Sequence, residues 1–368
     1  IVGYLLAGVA VGPFTPGWVA DLSLAPQLAE IGVILLMFGV GLHFSPKELV
    51  RVQSIALPGA IAQIAVATAL GWGVGMLMGM SGPEAAIFGF SLSVASTVVL
   101  LRAIESRGQL KTSIGQIAVG WLLVEDMVII VALVLLPLLV NMGAHDSGAA
   151  IAREIMWTFA KIAAFLALMF VVGVRAMPTI LVWIAHTRSR ELFTLGVLSI
   201  ALGIAWLAYA VFGASFALGA FVAGLVLNST PLGHNAAERS LPLRDAFAVL
   251  FFVSVGMLFD PATLVREPIG VFATLAIILV GKSLAAIAVT NLFGRNRREG
   301  LTIAASLAQI GEFSFILAGL GVTLELISHE TNNLILAAAL LSIALNPFMF
   351  KLADRLTRDM ESPPEPAT

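Results

Sequence analysis

Apolar runs of 18 or more residues, cut by short polar clusters, recur along the whole chain. That spacing predicts membrane-spanning helices, since about 20 apolar residues cross a bilayer as a helix. The alternation expected of a membrane β-barrel is missing from these runs. Apolar windows and breakers place about twelve spans, near residues 1–12, 28–44, 54–79, 83–104, 113–142, 152–177, 190–212, 214–228, 242–258, 268–293, 298–322 and 331–354. The segment 356–368, ending Ser362-Pro-Pro-Glu-Pro-Ala-Thr368, reads as a linker tail after the last span.

The same apolar pattern occurs twice. Leu28 to Pro46 aligns without gaps on Leu243 to Pro261, with Leu28, Leu35, Val40, Gly41, Phe44 and Pro46 matching Leu243, Leu250, Val255, Gly256, Phe259 and Pro261. Glu30 falls on Asp245, and upstream Gly3-Tyr-Leu-Leu-Ala-Gly8 resembles Gly219-Ala-Phe-Val-Ala-Gly224. Basic residues give each copy a direction. Alternate loops hold sixteen of the 20 Lys and Arg residues, and the other side holds only Arg153 and Arg266. The positive-inside rule puts the sixteen, and the C-terminus with them, in the cytoplasm. The two copies then run in opposite senses, as in transporters whose ion site lies between inverted repeats. The repeats cover about 1–142 and 190–354 of a transmembrane domain at 1–355, linked by span 152–177. Span 1–12 pairs with 214–228, so the mate of 190–212 is expected before Ile1.

Composition agrees and excludes much else. Of 368 residues, 59% are hydrophobic and 11% charged, which rules out an ordinary soluble domain and a disordered chain. With no cysteine, disulfides and thiolate metal centres are out. No resident metal, cofactor or nucleic-acid partner is expected.

Charge within the spans is where the chemistry concentrates. Glu125 and Asp126 lie side by side in the stretch from Gly120 to Leu136, which has no other ionisable group. Each costs about 2.5–3.5 kcal/mol at the bilayer centre on insertion scales, so such acids default to function. Adjacent helix residues point about 100° apart, so one faces an ion and the other a neighbouring helix; a structural acid pair is the alternative. Lys282 is also mid-span, with no acid three or four residues away on its own helix. Its counter-ion must come from elsewhere, and the acidic pair is the natural source. Two stretches rich in small polar residues, Ser91 to Val99 and Ala305 to Phe315, predict interrupted helices. The repeat shift of 215 sets Ser96-Thr97 against Gly311-Glu312. Ser93, Ser96 and Thr97 serve an ion or merely pack helices. Glu312 is a further buried acid, serving the site or acting as a structural partner that neutralises helix ends or pairs with a basic group. Lys161 is read as reaching outward, His43 and His186 as surface groups, and Glu30 and Asp245 as span-end residues. The Gly3/Ala7 and Gly219/Ala223 patterns read as packing faces.

These residues resemble the cation:proton antiporter-2 family, the Kef-type transporters, and within it a potassium/proton antiporter branch. The matching elements are Gly3 to Pro13, Ala95-Ser-Thr97, the acidic pair, Gly219 to Gly224, Phe252 to Met257 and Gln309-Ile-Gly-Glu-Phe313. The resemblance implies an all-α polytopic membrane protein with a sodium/proton-antiporter-like fold and thirteen spans, of which about twelve are present here. It implies two crossed discontinuous helices beside the ion-binding acid, and a homodimer whose core domain slides against a dimerisation domain. Asp126 takes the position of the family's ion-binding aspartate, with Glu125, Thr97 and Ser96 around it. Lys282 takes the basic position that partners the acids. Glu312, Gln309 and Gly311 support the crossing. The implied activity is exchange of a monovalent cation for protons at a bacterial inner membrane, by a transporter and not an enzyme. Potassium is favoured by the resemblance and sodium stays open. Glu125 stands where many Kef proteins have Gln, which leaves the number of protons per cycle open. Longer relatives add a cytoplasmic nucleotide-binding regulatory domain, expected to be missing from this chain. A gated channel, an intramembrane aspartyl protease and a membrane receptor are the rival readings. No carbonyl-lined filter motif and no second mid-span aspartate speak for the first two, and the inverted repeat speaks against the third.

Overall fold

The computed structural model describes residues 2–17, 19, 24–43, 46–110, 112–141, 148–214, 216–228 and 233–358. Phe44, Lys111 and the tail from residue 359 lie outside the described residues, as does the side chain of His43. The described chain is helical and contains no strand. In order, the helices are α1 (Val2–Val11), α2 (Leu24–His43), α3 (Pro46–Leu77), α4 (Gly82–Ser93), α5 (Thr97–Ser106), α6 (Ser113–Asn141), α7 (Gly148–Leu168), α8 (Val174–Ala185) and α9 (Arg190–Phe212). They continue as α10 (Phe216–Asn228), α11 (Gly233–Met257), α12 (Thr263–Arg266), α13 (Pro268–Ala276), α14 (Lys282–Leu292), α15 (Arg297–Leu307), α16 (Glu312–Thr323) and α17 (His329–Arg358).

Every predicted window contains helix. Six described helices are long and apolar enough to cross a membrane alone, and α15 with α16, bent by 42° at the break, makes a seventh. The other windows hold shorter or more polar helices such as α1 and α10. Some helices overrun their windows. α11 starts at Gly233 where an apolar window starts at 242, α8 continues to Ala185, and α17 runs to Arg358 into the expected tail. For α11 and α17 the reason is that a hydropathy window stops at polar residues, whereas Arg, Glu and Lys are good helix formers and carry a helix on; α8 instead runs through Pro178, which lies inside the helix. Two π-helical stretches, Met169–Gly173 and Ile277–Gly281, join α7 to α8 and α13 to α14. The second ends at the residue before Lys282, and such widened turns are frequent at functional sites.

The chain forms two compact units, each drawing on both sequence repeats. One comprises residues 3–50 and 130–258, the other 51–129 and 259 onward.

In the first unit α2 packs along α10 and α11. Glycines make the close approaches. A Cβ on Gly256 would sit 3.0 Å from the Cα of Gly8, and one on Gly41 would sit 3.0 Å from the Cα of Gly224. Gly8 and Gly224 are mates in the repeat, as are Gly41 and Gly256. Exchanging each glycine for its mate turns one contact into the other, which is a two-fold relation between the repeats. Small residues at such contacts let membrane helices come within backbone distance.

The second unit is built around α17, which packs on α13, α15 and α16, while α14 lies on α15 and α4 on α16. Trp121, Leu100, Ile104, Ile303, Leu307 and Phe350 are among its buried core. The start of α4 is tied to the start of α17: Glu84 Oε1 accepts from Ser328 N–H at 3.0 Å and from Thr331 Oγ1 at 2.7 Å. This unit holds both interrupted helices.

Candidate ion-binding site at the two helix breaks

Small polar residues and glycine interrupt α4–α5 and α15–α16 at corresponding places in the two repeats. Helix α4 ends at Ser93, Val94 is extended, and Ser96 caps α5 with its Oγ accepting from Val99 N–H at 3.3 Å. Helix α15 ends at Leu307, and α16 restarts at Glu312 after an extended Gly311. The breaks touch. Gly311 N–H donates to Val94 O at 3.1 Å, and a Cβ on Gly311 would lie 2.7 Å from Ser96 Cα. Only glycine permits that approach.

Broken helices in an apolar interior must satisfy their freed backbone groups internally. Here side chains do so. Gln309 binds Ser96 at both ends: Ser96 N–H donates to its Oε1 at 2.8 Å and its Nε2 donates to Ser96 O at 3.1 Å. Gln63 Nε2 donates to Ser93 O at 2.9 Å, and Trp121 Nε1 donates to Gln63 Oε1 at 2.9 Å. Asn346 Nδ2 donates to Ala305 O at 2.8 Å, and Ile310 N–H reaches Ser342 Oγ at 3.4 Å.

Two charged side chains take opposite parts in this arrangement. Glu125 Oε2 accepts from the freed Ala95 N–H at 2.7 Å. Lys282 Nζ donates to the freed Gln309 O at 3.0 Å. Both are fully buried, and each feels the other's charge. Lys282 therefore spends its hydrogen bond on a carbonyl of the second break, with Glu125 as its electrostatic counterpart.

Asp126, one residue on, turns to the first break. Thr97 Oγ1 donates to its Oδ2 at 2.9 Å. Glu312 faces the same region: Ser96 Oγ donates to its Oε2 at 3.1 Å, and its charge acts on Asp126. The second oxygens, Glu125 Oε1, Asp126 Oδ1 and Glu312 Oε1, are buried and have no hydrogen-bond partner. Among the described residues no three His, Asp or Glu side chains converge as a metal cage would require, so the three acids do not share one point. Chemically, the site offers anionic oxygens in a dry setting, where each carboxylate takes either a proton or a hard cation.

The structure thus brings together Glu125, Asp126, Ser96, Thr97, Lys282, Gln309, Gly311 and Glu312. It leaves the other candidates elsewhere. Lys161 lies half-buried on α7 with its Nζ 5.8 Å from the Trp157 ring centre. His186 and Glu30 are exposed, and Asp245 is exposed beside Arg244, 3.0 Å away. Gln63, Trp121, Ser342 and Asn346 are participants that the sequence reading missed. A lone Gln or Asn inside an apolar helix was the available signal.

Comparisons with known proteins show the family of the chain. The profile of the family described as "Sodium/hydrogen exchanger, transmembrane" matches residues 1–353. The chain belongs to that family. It is 59% identical over 364 residues to the "Putative cation/proton antiporter YbaL" of Escherichia coli K12, covering 98% of this chain and 65% of that one. It is 33% identical over 354 residues to "K(+) efflux antiporter 4" of Arabidopsis thaliana, covering 96% of this chain and 59% of that one. The chain therefore spans less than two-thirds of the length of either relative. Its fold is similar to the solved sodium proton antiporter MjNhaP1 of Methanocaldococcus jannaschii, with a TM-score of 0.74 over 97% of this chain and 92% of that one, at 17% identity.

Proposed function

We propose that this exchanger-family protein is a secondary antiporter that moves a monovalent cation against protons by alternating access. The observation that carries the reading is Asp126: a buried carboxylate, pinned through one oxygen by Thr97, with the other oxygen free, beside two broken helices. A single carboxylate that holds either a proton or a cation, but not both, enforces exchange when its empty charged form cannot cross. Ser96 and Thr97 position the acids. Lys282 and Glu125 offset each other's charge and fix the two breaks, so the site's net charge changes only with its cargo.

The further readings extend the same proposal. Potassium is the favoured cation because a relative carries that ion in its name, and sodium is the alternative, because a structural neighbour is named for it. The working protein is a homodimer in a bacterial inner membrane, with its C-terminus in the cytoplasm. A cytoplasmic regulatory domain that binds nucleotide is a further proposed partner of this membrane domain; the relatives are longer than this chain.

The test is transport in proteoliposomes carrying a pH-sensitive dye, scanned across lithium, sodium, potassium and rubidium. Proton movement that requires a cation gradient, and reverses with it, is the expected result. Cation flux without proton counterflow would indicate a channel and end the proposal.

A further inference from the structure

Glu312 is the one buried acid at the breaks that the exchange reading leaves without a task. A supporting role at the crossing explains half of its geometry. As the first residue of α16 it sits at a helix N-terminus, where a negative charge is favourable. Its Oε2 takes the Ser96 hydroxyl. Neither fact employs Oε1, which is buried without a partner.

Charge makes the case sharper. Among the described residues Lys282 is the one buried Lys or Arg, against the acids Glu125, Asp126 and Glu312 at the breaks. Lys282 is matched electrostatically with Glu125. Asp126 and Glu312 remain, and their charges act on one another. Two carboxylates in mutual range inside low dielectric repel strongly unless something positive joins them. The hydroxyls of two consecutive residues, Ser96 and Thr97, hold one oxygen of each acid. That leaves Asp126 Oδ1 and Glu312 Oε1 free on the two acids that Lys282 does not offset, one on α6 and one on α16.

We infer that Glu312 is a second anionic ligand of the transported monovalent cation, which Asp126 and Glu312 hold between them from α6 and α16. The inference rests on the antiport reading and deepens it. It moves Glu312 from supporting the crossing to contacting the cargo. It also makes the second break, with α16, part of the cation's seat, so that both repeats supply an acid.

The experiment measures cation-dependent proton flux in proteoliposomes at one fixed pH, varying potassium and, separately, sodium. Glu312→Gln keeps a side-chain oxygen for the Ser96 hydroxyl and removes only the charge. The expected result is a cation KM raised at least tenfold, with a smaller change in maximal rate and an unchanged melting temperature. A purely capping residue would instead lower the melting temperature and leave the KM alone; an unchanged KM for both cations overturns the inference. Should Glu312→Gln not be recovered folded, Glu312→Asp decides, since it keeps the charge but withdraws it by one methylene. Its KM is expected to rise as well, and a wild-type KM overturns the assignment. Asp126→Asn run in parallel separates the two levels. Loss of exchange there with a wild-type Glu312→Gln sinks only the second ligand, exchange surviving in both removes both acids from the cation's seat, and wild-type protein without cation-dependent proton flux sinks the antiport reading itself.

Discussion

Thr97 and Asp126 are joined across the first helix break: the Thr97 hydroxyl donates to Asp126 Oδ2 at 2.9 Å, and Oδ1 is left buried without a partner. The hydroxyl belongs to the first residue of α5, so the position of the acid is set by where that helix restarts. Asp126→Asn should abolish cation-coupled proton movement while the protein stays folded, because the amide accepts the same hydrogen bond but takes no proton at neutral pH and brings no negative charge to exchange a proton for a cation. Dye-reported flux in vesicles checks this; retained exchange would remove Asp126 from the mechanism.

Thr97→Ala deletes the donor and leaves Asp126 Oδ2 unpaired. A hydrogen bond to a charged group contributes about 1.5–3 kcal/mol, so a loss of cation affinity on the order of tenfold or more is expected. Thr97→Ser should restore most of it. The KM for cation across the three proteins is the measurement, and a Ser variant as weak as the Ala variant would show that the methyl group, not the hydroxyl, matters.

Glu125→Gln should keep exchange, since the side-chain oxygen of Gln still accepts from Ala95 N–H. What it removes is the charge facing Lys282. The pH profile is expected to change and the activity to persist. An inactive Glu125→Gln together with an active Asp126→Asn would reverse the two roles.

Lys282→Ala strips a donor from Gln309 O and the positive charge that acts on Glu125. Breaking a buried charge pair from one side costs about 3–5 kcal/mol, which a fall in melting temperature would register. The sign of the pH effect follows from charge alone. Without the ammonium the acids hold protons more tightly, so a more alkaline pH is needed to release them and the activity optimum moves up. An unmoved optimum and melting temperature would contradict this account. Glu125→Gln added to Lys282→Ala should recover part of the stability, because it removes the orphaned acid.

Gly311→Ala places a methyl group 2.7 Å from Ser96 Cα, a backbone atom with little freedom to retreat. Overpacking of this kind costs about 1–3 kcal/mol. The expected outcome is a lower melting temperature and reduced transport, since the Gly311–Val94 hydrogen bond and the acids beside it move together. A variant of wild-type stability would mean that the breaks separate more easily than this contact implies.

The sequence by itself determined the helices, the repeat and the identity of the charged residues at issue. It could do so because a bilayer forces long apolar runs and makes each buried charge conspicuous: Glu125, Asp126 and Lys282 stand alone in their stretches. The matched glycines Gly8, Gly41, Gly224 and Gly256 also carried the repeat in plain sight, since only a residue without a side chain serves a backbone-to-backbone contact. Tertiary structure alone decided who meets whom. That Gln309 holds Ser96, 213 positions away, or that Gln63 and Asn346 serve carbonyls on other helices, depends on where freed backbone groups land when two helices cross. Local sequence does not encode that. The division of labour among the acids was settled the same way: Glu125 goes to the Ala95 N–H, while Asp126 and Glu312 are taken by neighbouring hydroxyls. Which oxygen stays free depends on hydrogen bonds made across the fold, not on the spacing of residues along the chain.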